Sequence, residues 1–373
     1  MMRKTFYVRN EGKTAFFEFP IITLLTGVLL LFSCKEEKGR SEIPVLKLTE
    51  VLEGNKTIEL SADIASVKTV QLETNDDILI GTIRKVVFSQ SHIIVQHDSQ
   101  CSVFDLKGNF LRKISNRGQG PREYNSIINI SLTGDTIRIF DTKKILSFNL
   151  RGEFISSYEL PGRIDLITTF ENIYIGYRVN RSGSENTRLL FFDNEGRLFD
   201  SIPYMKQYEN LSDLIVVLYS SEVFMYQYDN TIRLKELAND TLFSISADKI
   251  LTPLYIMDLG KYAPKEEERF QLYSAQQSLF EGKKLLNLIL ETNSHLVLNV
   301  GLKPNRYILY DKETGALENV AFRYNDEEKS RFGKDFFNPK FVSEDKRTLI
   351  SFELSADIDN DDNPVLVLVT FKN

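Results

Sequence analysis

Ser102-Val-Phe-Asp-Leu-Lys-Gly-Asn-Phe-Leu111, Leu146-Ser-Phe-Asn-Leu-Arg-Gly-Glu-Phe-Ile155 and Leu190-Phe-Phe-Asp-Asn-Glu-Gly-Arg-Leu-Phe199 align without gaps. Their glycines, Gly108, Gly152 and Gly196, are spaced 44 residues apart in both intervals. Each copy reads as an apolar strand, an Asp or Asn, two further residues, a glycine and a second apolar strand. That order is hairpin chemistry. Asp105, Asn149 and Asp193 start the turn by bonding a side-chain oxygen to the backbone, and each glycine accepts a positive φ. A looser fourth copy, Tyr307-Ile-Leu-Tyr-Asp-Lys-Glu-Thr-Gly-Ala-Leu317, has one extra residue before Gly315.

A repeat of this length fits one four-stranded propeller blade. Between the hairpins lie further strand-like stretches rich in β-branched and aromatic residues: Arg84–Phe88, His92–Gln96, Ile127–Leu132, Thr136–Phe140, Glu171–Tyr177 and Val223–Tyr228. Helical repeats would need apolar spacings of three and four over longer runs, which are absent. The chain is therefore expected to be all-β, a propeller of four-stranded antiparallel blades with one short helical insertion at 264–285. There Pro264 and Glu266, Glu267 and Glu268 suit a helix start, and Gly282, Lys283 and Lys284 suit its end. Leu272, Ala275 and Leu279 would share one face of it. Residues 65–373 without this insertion hold roughly six and a half repeats, which leaves six and seven blades open. For ring closure, the apolar run Val365–Phe371 is expected to pair with Val67–Leu72 in one blade, removing exposed edges.

At the N-terminus, residues 21–33 form an apolar run behind Arg3, Lys4, Arg9 and Lys13 and just before Cys34. Thirteen residues make about 20 Å of helix, short of the roughly 30 Å hydrocarbon core, so a cleaved secretory leader over 1–33 is the expectation. Leu31-Phe-Ser-Cys34 resembles the bacterial lipobox, in which the cysteine is acylated. Residues 34–64 then form a tether and lead-in, ahead of the propeller domain at 65–373. Lys35, Glu36 and Glu37 resemble the export signal that sends lipoproteins of some Gram-negative bacteria to the cell surface. The expected location is the outer membrane, lipid-anchored and surface-exposed.

Composition narrows the chemistry. With 46 Lys plus Arg against 52 Asp plus Glu the net charge is −6, and no basic cluster stands out, so no nucleic-acid partner is expected. Three His and two Cys exclude a cysteine-ligated zinc site and a multi-disulfide scaffold. Cys101, in Cys-Ser-Val-Phe-Asp, reads as a buried structural thiol. His92 and His97 are five apart on strand-like sequence and face opposite sides, and His295 is isolated. Asp357, Asp359, Asp361 and Asp362 open like a calcium loop but fail the EF-hand pattern, since Asp362 stands where glycine is needed and Leu368 where Glu is needed. An exposed acidic turn is the expectation there. No metal and no cofactor is expected.

Asn116-Arg-Gly-Gln-Gly-Pro-Arg-Glu-Tyr124 resembles the Gly-x-Gly-Pro-Gly-Glu-Tyr signature of the six-bladed β-propeller lipoproteins of Gram-negative bacteria, related in fold to NHL-repeat propellers. Val70-Gln-Leu-Glu-Thr, Leu79-Ile-Gly, Asn239-Asp-Thr-Leu-Phe and Asp361-Asp-Asn-Pro-Val-Leu-Val agree with it, and Arg122 departs from it where the family has glycine. The resemblance covers 65–373 and implies six blades. It implies no reaction. The loop lacks both the Walker sequence and the dinucleotide fingerprint. One reading makes it a tight blade exit in which Pro121 stiffens the crossing and Tyr124 packs between blades. The other makes Arg117, Gly118, Gly120, Arg122, Glu123 and Tyr124 a ligand-binding loop at the channel mouth.

Two functions follow from the sequence. The first is a non-catalytic surface module binding a glycan, a peptide or a protein through loops around the channel. The second resembles the lactonase-type six-bladed enzymes, a hydrolase or lyase with a divalent metal in the channel. No nucleophile–base pair or metal spacing is legible, which favours the first, with no catalytic residue assigned.

Overall fold

The repeated turns fold alike. Asp105 Oδ1 accepts from the backbone N–H groups of Lys107 and Asn109 at 2.8 and 2.9 Å. Asn149 Oδ1 accepts from Arg151 and Glu153, and Asp193 Oδ1 from Glu195 and Arg197, all at 2.9 Å. Gly108, Gly152, Gly196 and Gly315 have φ of 91°, 80°, 76° and 74°. The preceding strand shifts register by a bulge in the first three copies. A fifth turn, Ser246–Ile250, has the same backbone bonds with Lys249 at the glycine position, at φ 62°.

The computed structural model describes residues 42–54, 56–60, 64–210, 222–271, 280–301, 306–354 and 362–371. The leader, Cys34, the apolar residues Leu272, Ala275 and Leu279, and Asp357, Asp359 and Asp361 lie outside the described residues. Ile43–Asn373 is one compact unit. No helix among the described residues is long and apolar enough to cross a membrane.

Six antiparallel sheets resolve the blade number. Blade one comprises Ile83–Phe88, His92–His97, Gln100–Asp105 and Phe110–Lys113; blade two Asn129–Thr133, Thr136–Phe140, Lys144–Asn149 and Phe154–Glu159. Blade three comprises Leu166–Phe170, Ile173–Tyr177, Thr187–Phe192 and Leu198–Pro203; blade four Val223–Tyr228, Thr231–Glu236, Thr241–Ile245 and Leu251–Asp258. Blade five comprises Leu286–Glu291, His295–Val300, Tyr307–Asp311 and Leu317–Phe322. Blade six takes Phe341–Val342, Thr348–Glu353 and Val365–Phe371 from the chain's far end and its outer strand, Ile64–Gln71, from near the start. Val369 pairs with Val67 and Val365 with Gln71, so the expected closure is present.

Two lengths of the lead-in extend the outer edges. Val45–Lys47 adds a parallel fifth strand to blade four, and Ile58–Leu60 adds one to blade five. A short helix, Leu48–Glu53, connects them, with Leu48 fully buried. This covers edges that would otherwise offer unpaired backbone groups.

The core is divided into six apolar clusters, each sealing one boundary between neighbouring blades. Cys101, Ile94 and Tyr124 meet Ile139 and Phe148 between blades one and two. Val86 and Phe104 meet Leu366 between blades one and six. Cys101 is fully buried, and burial pushes its thiol up to about 12, as expected of a structural thiol. Some sequence boundaries shift for a local reason. Glu171 has φ 51° and belongs to the turn before Ile173–Tyr177. Within 264–285 the described residues form a short 3-10 turn, Glu266–Phe270, whose first turn carries the three glutamates.

Candidate functional site

The topology sorts the connections onto two faces. The Asp/Asn-to-Gly hairpins lie on one. The blade-to-blade crossings and the turns between second and third strands lie on the other, here the loop face. Between blades three and four the loop face opens into a cavity of about 460 Å³. Its walls come from Val179 and Asn180 of blade three, the crossing residues Tyr204 to Tyr208 with Glu222, the blade-four turn Leu237 to Asp240, and Leu259 to Glu266.

Glu236, at the end of a blade-four strand, organises the wall. Arg188 of blade three donates to it through both Nε at 2.7 Å and Nη2 at 2.5 Å. Tyr177 Oη donates at 2.9 Å and Asn239 Nδ2 at 3.1 Å. Tyr204 Oη lies 3.0 Å from Tyr177 Oη and donates to the Arg178 carbonyl at 2.6 Å. Burial and the Glu236 charge hold the Tyr177 phenol far above its usual range, so it stays protonated. Behind this wall Arg269 Nη1 and Nη2 clasp Glu222 at 2.9 and 2.7 Å, with the Arg269 side chain only 1% exposed. Two wall groups are displaced toward neutrality by burial: Glu266 is raised to about 7, and Lys235 is lowered to about 8.

The central channel is a second cavity, of about 470 Å³, lined by the inner strands of all six blades. Its ionisable wall sets Arg84, Lys85, Lys340 and Lys346 against Glu291 and Glu344. Glu291 is already bonded by Arg233, Lys312 and Tyr226. Lys85 donates to Asn129 Oδ1 and the Ile130 carbonyl, both at 2.8 Å, and burial lowers its amine to about 8.

The loop at 116–124 folds on itself. Glu123 turns inward, accepting the Gly120 N–H at 2.9 Å, and a Cβ on Gly118 would overlap its carboxylate. Tyr124 is 1% exposed and seals blades one and two. Arg122 lies over the Phe154 ring at 5.2 Å, and Arg117 is exposed. Lys144 Nζ clamps the Gly120 carbonyl at 2.9 Å. None of the six residues lines any of the cavities described here. The glycines and the glutamate have a conformational role.

The histidines are held locally. His92 Nδ1 and His295 Nδ1 lie 2.7 and 2.8 Å from the preceding serine hydroxyls. His97 is 1% exposed, with Nε2 2.9 Å from Ser102 Oγ. Among the described residues no three His, Cys, Asp or Glu side chains gather at one point. The residues of the blade-three/four cavity carry no motif. Their one trace in the sequence is Asn239-Asp-Thr-Leu-Phe, which supplies the cavity turn.

Known structures share this architecture. A presumed exported protein of Bacteroides fragilis is 16% identical, with TM-score 0.61, covering 85% of this chain and 99% of its own. A member of the DUF4221 family from Bacteroides vulgatus is 13% identical, with TM-score 0.53, covering 85% of this chain and 99% of its own. A streptogramin B lyase aligns at 12% identity and TM-score 0.45, over 83% of this chain and 100% of its own, too distant to bear on activity. No curated protein matches significantly. The family model described as a domain of unknown function, DUF4934, matches residues 43–370, the whole propeller with its lead-in strands, and the chain belongs to that family.

Proposed function

We propose that this chain is an exported lipoprotein, acylated at Cys34 and held at the outer membrane with its propeller on the cell surface, where the propeller binds a glycan, peptide or protein without transforming it. The binding site is the cavity between blades three and four. Export is supported by the lipobox-like Leu31-Phe-Ser-Cys34 and by the similarity to a presumed exported propeller. The observation that carries the binding reading is the fixing of the Glu236 and Glu222 sides of the cavity wall. Arg188 takes both oxygens of Glu236, Tyr177 and Tyr204 bond each other, and Arg269 takes both oxygens of Glu222. Groups fixed in this way form a rigid template for recognition. The channel is the place a lactonase-like metal would occupy, and its described wall is richer in cations than in carboxylates.

Screening the full chain against glycan and peptide arrays tests the reading. A ligand bound by the wild type, lost on Ala238→Trp, which fills the cavity, and kept by Arg122→Ala is the expected result. Retention by Ala238→Trp would move the site elsewhere. Protease shaving of intact cells should remove the propeller, and Cys34→Ala should release it from the membrane fraction; a protected, still membrane-bound variant contradicts the anchoring. One observation favours a second reading, acid–base hydrolysis or elimination: Glu266, raised to about 7, borders the same cavity. Turnover of the bound ligand that disappears in Glu266→Gln would establish it.

A further inference from the structure

Among the wall groups of the blade-three/four cavity, Lys235 differs from the rest. Its residue is 3% exposed, and among the described residues its ammonium makes one hydrogen bond, to the Glu236 carbonyl at 2.6 Å. No described carboxylate lies within ion-pair distance of it, although the charges of Glu236 and Asp240 act on it from farther away. A lysine ammonium has three donors, so two have no partner among the described residues, and the residue lines the cavity. Burying a cation without an adjacent anion is costly, and an anion entering the cavity would offset that cost. The neighbouring carboxylates do not serve. Arg188 neutralises Glu236, Arg269 neutralises Glu222 and lies 3.4 Å from Glu266, and Asp240 is exposed and takes the Thr241 hydroxyl. The lining also supplies apolar surface through Met205, Leu237, Met257, Leu259, Ala263 and Pro264, beside two exposed lysines, Lys206 and Lys265.

Resting on the binding reading above, we infer that the ligand of this cavity is an acid with an apolar body, its carboxylate seated on Lys235 and its body against Leu237, Met257 and Leu259. The cavity, about 460 Å³, is within the size range of small-molecule sites. Arg188 is taken up by Glu236, and Lys206 and Lys265 are exposed to solvent, which leaves Lys235 as the buried cation among the described lining residues.

Calorimetry on the full chain with hydrocinnamate, hydrocinnamide and phenethyl phosphate at neutral pH tests this. The acid should bind about tenfold more tightly than its amide, the worth of one charge-assisted hydrogen bond. Lys235→Met should bring acid and amide to equal affinity with the thermal midpoint held or raised, whereas Arg122→Ala should leave the preference intact. Equal binding of acid and amide by the wild type overturns the inference, as does an acid preference that survives Lys235→Met. Tighter, Lys235-dependent binding of the phosphate ester overturns the carboxylate assignment in favour of a phosphate. Silence of all three probes also overturns it, while the array measurement with Ala238→Trp decides the cavity reading separately.

Discussion

The repeated turns show how much one residue's backbone decides. Gly108 has φ 91°, and a Cβ there would overlap the Gln71 carbonyl of blade six, whereas Gly315 at φ 74° has nothing within 4 Å. Both lose the freedom of glycine on substitution, but only the first collides. Gly315→Ala should therefore cost about 1 kcal/mol and Gly108→Ala about 2–4 kcal/mol in urea denaturation; equal costs would contradict the contact. Lys249 at φ 62° explains why a glycine search misses the fifth turn. Another repeat also escaped the sequence reading: Ser89-Gln-Ser-His92 and Thr292-Asn-Ser-His295 form matching turns, each with a hydroxyl accepting the histidine N–H. Lys235 makes a pH prediction. Its folded value, about 8, lies below the unfolded value of about 10.4. Between the two the unfolded chain binds more protons, so stability rises with pH across that window. Lys235→Met should lose this alkaline gain, a difference of about 1–3 kcal/mol between neutral pH and about pH 10. Parallel stability curves for the two proteins would show that the amine is not buried as described.

At the scale of the element, local chemistry was legible and long-range pairing was not. A hairpin is written within a few consecutive residues, so Asp105 to Gly108 announces itself. The cavity wall is not: Arg188 and Glu236 are 48 residues apart, and Glu222 and Arg269 are 47 apart, with no spacing rule to link them. The helix Asp326–Phe332 was also missed, although Asn325 caps it and Gly333 ends it at φ 62°. Its seven residues, Asp-Glu-Glu-Lys-Ser-Arg-Phe, are too short and polar to show an apolar stripe. The loop at 116–124 was legible as a tight crossing, and the inward turn of Glu123 gives the reason for its glycines. Glu123→Ala should destabilise the domain by about 1–2 kcal/mol through the lost bond to Gly120, while Arg117→Ala should lie within about 0.5 kcal/mol of wild type. The reverse order would restore the loop as a binding element.

For the whole molecule, closure depends on the chain's two ends. Asn363, 2% exposed, accepts the Ile80 N–H at 2.6 Å and donates to the carbonyls of Glu73 and Ile78, tying the last strand to the approach to blade one. Deleting residues 42–75 removes the outer strand of blade six and the fifth strands of blades four and five together. The truncated chain should lose its cooperative unfolding transition, and an unchanged melting curve would refute the closure. Six blades around the channel make a scaffold, and the proposed binding site lies at one seam of that scaffold. Hydrogen–deuterium exchange of the full chain with and without a bound ligand tests this most directly. Protection confined to the segments 204–208, 236–240 and 259–266 is the predicted result; protection at 116–124 or along the inner strands, with those segments unchanged, would contradict it.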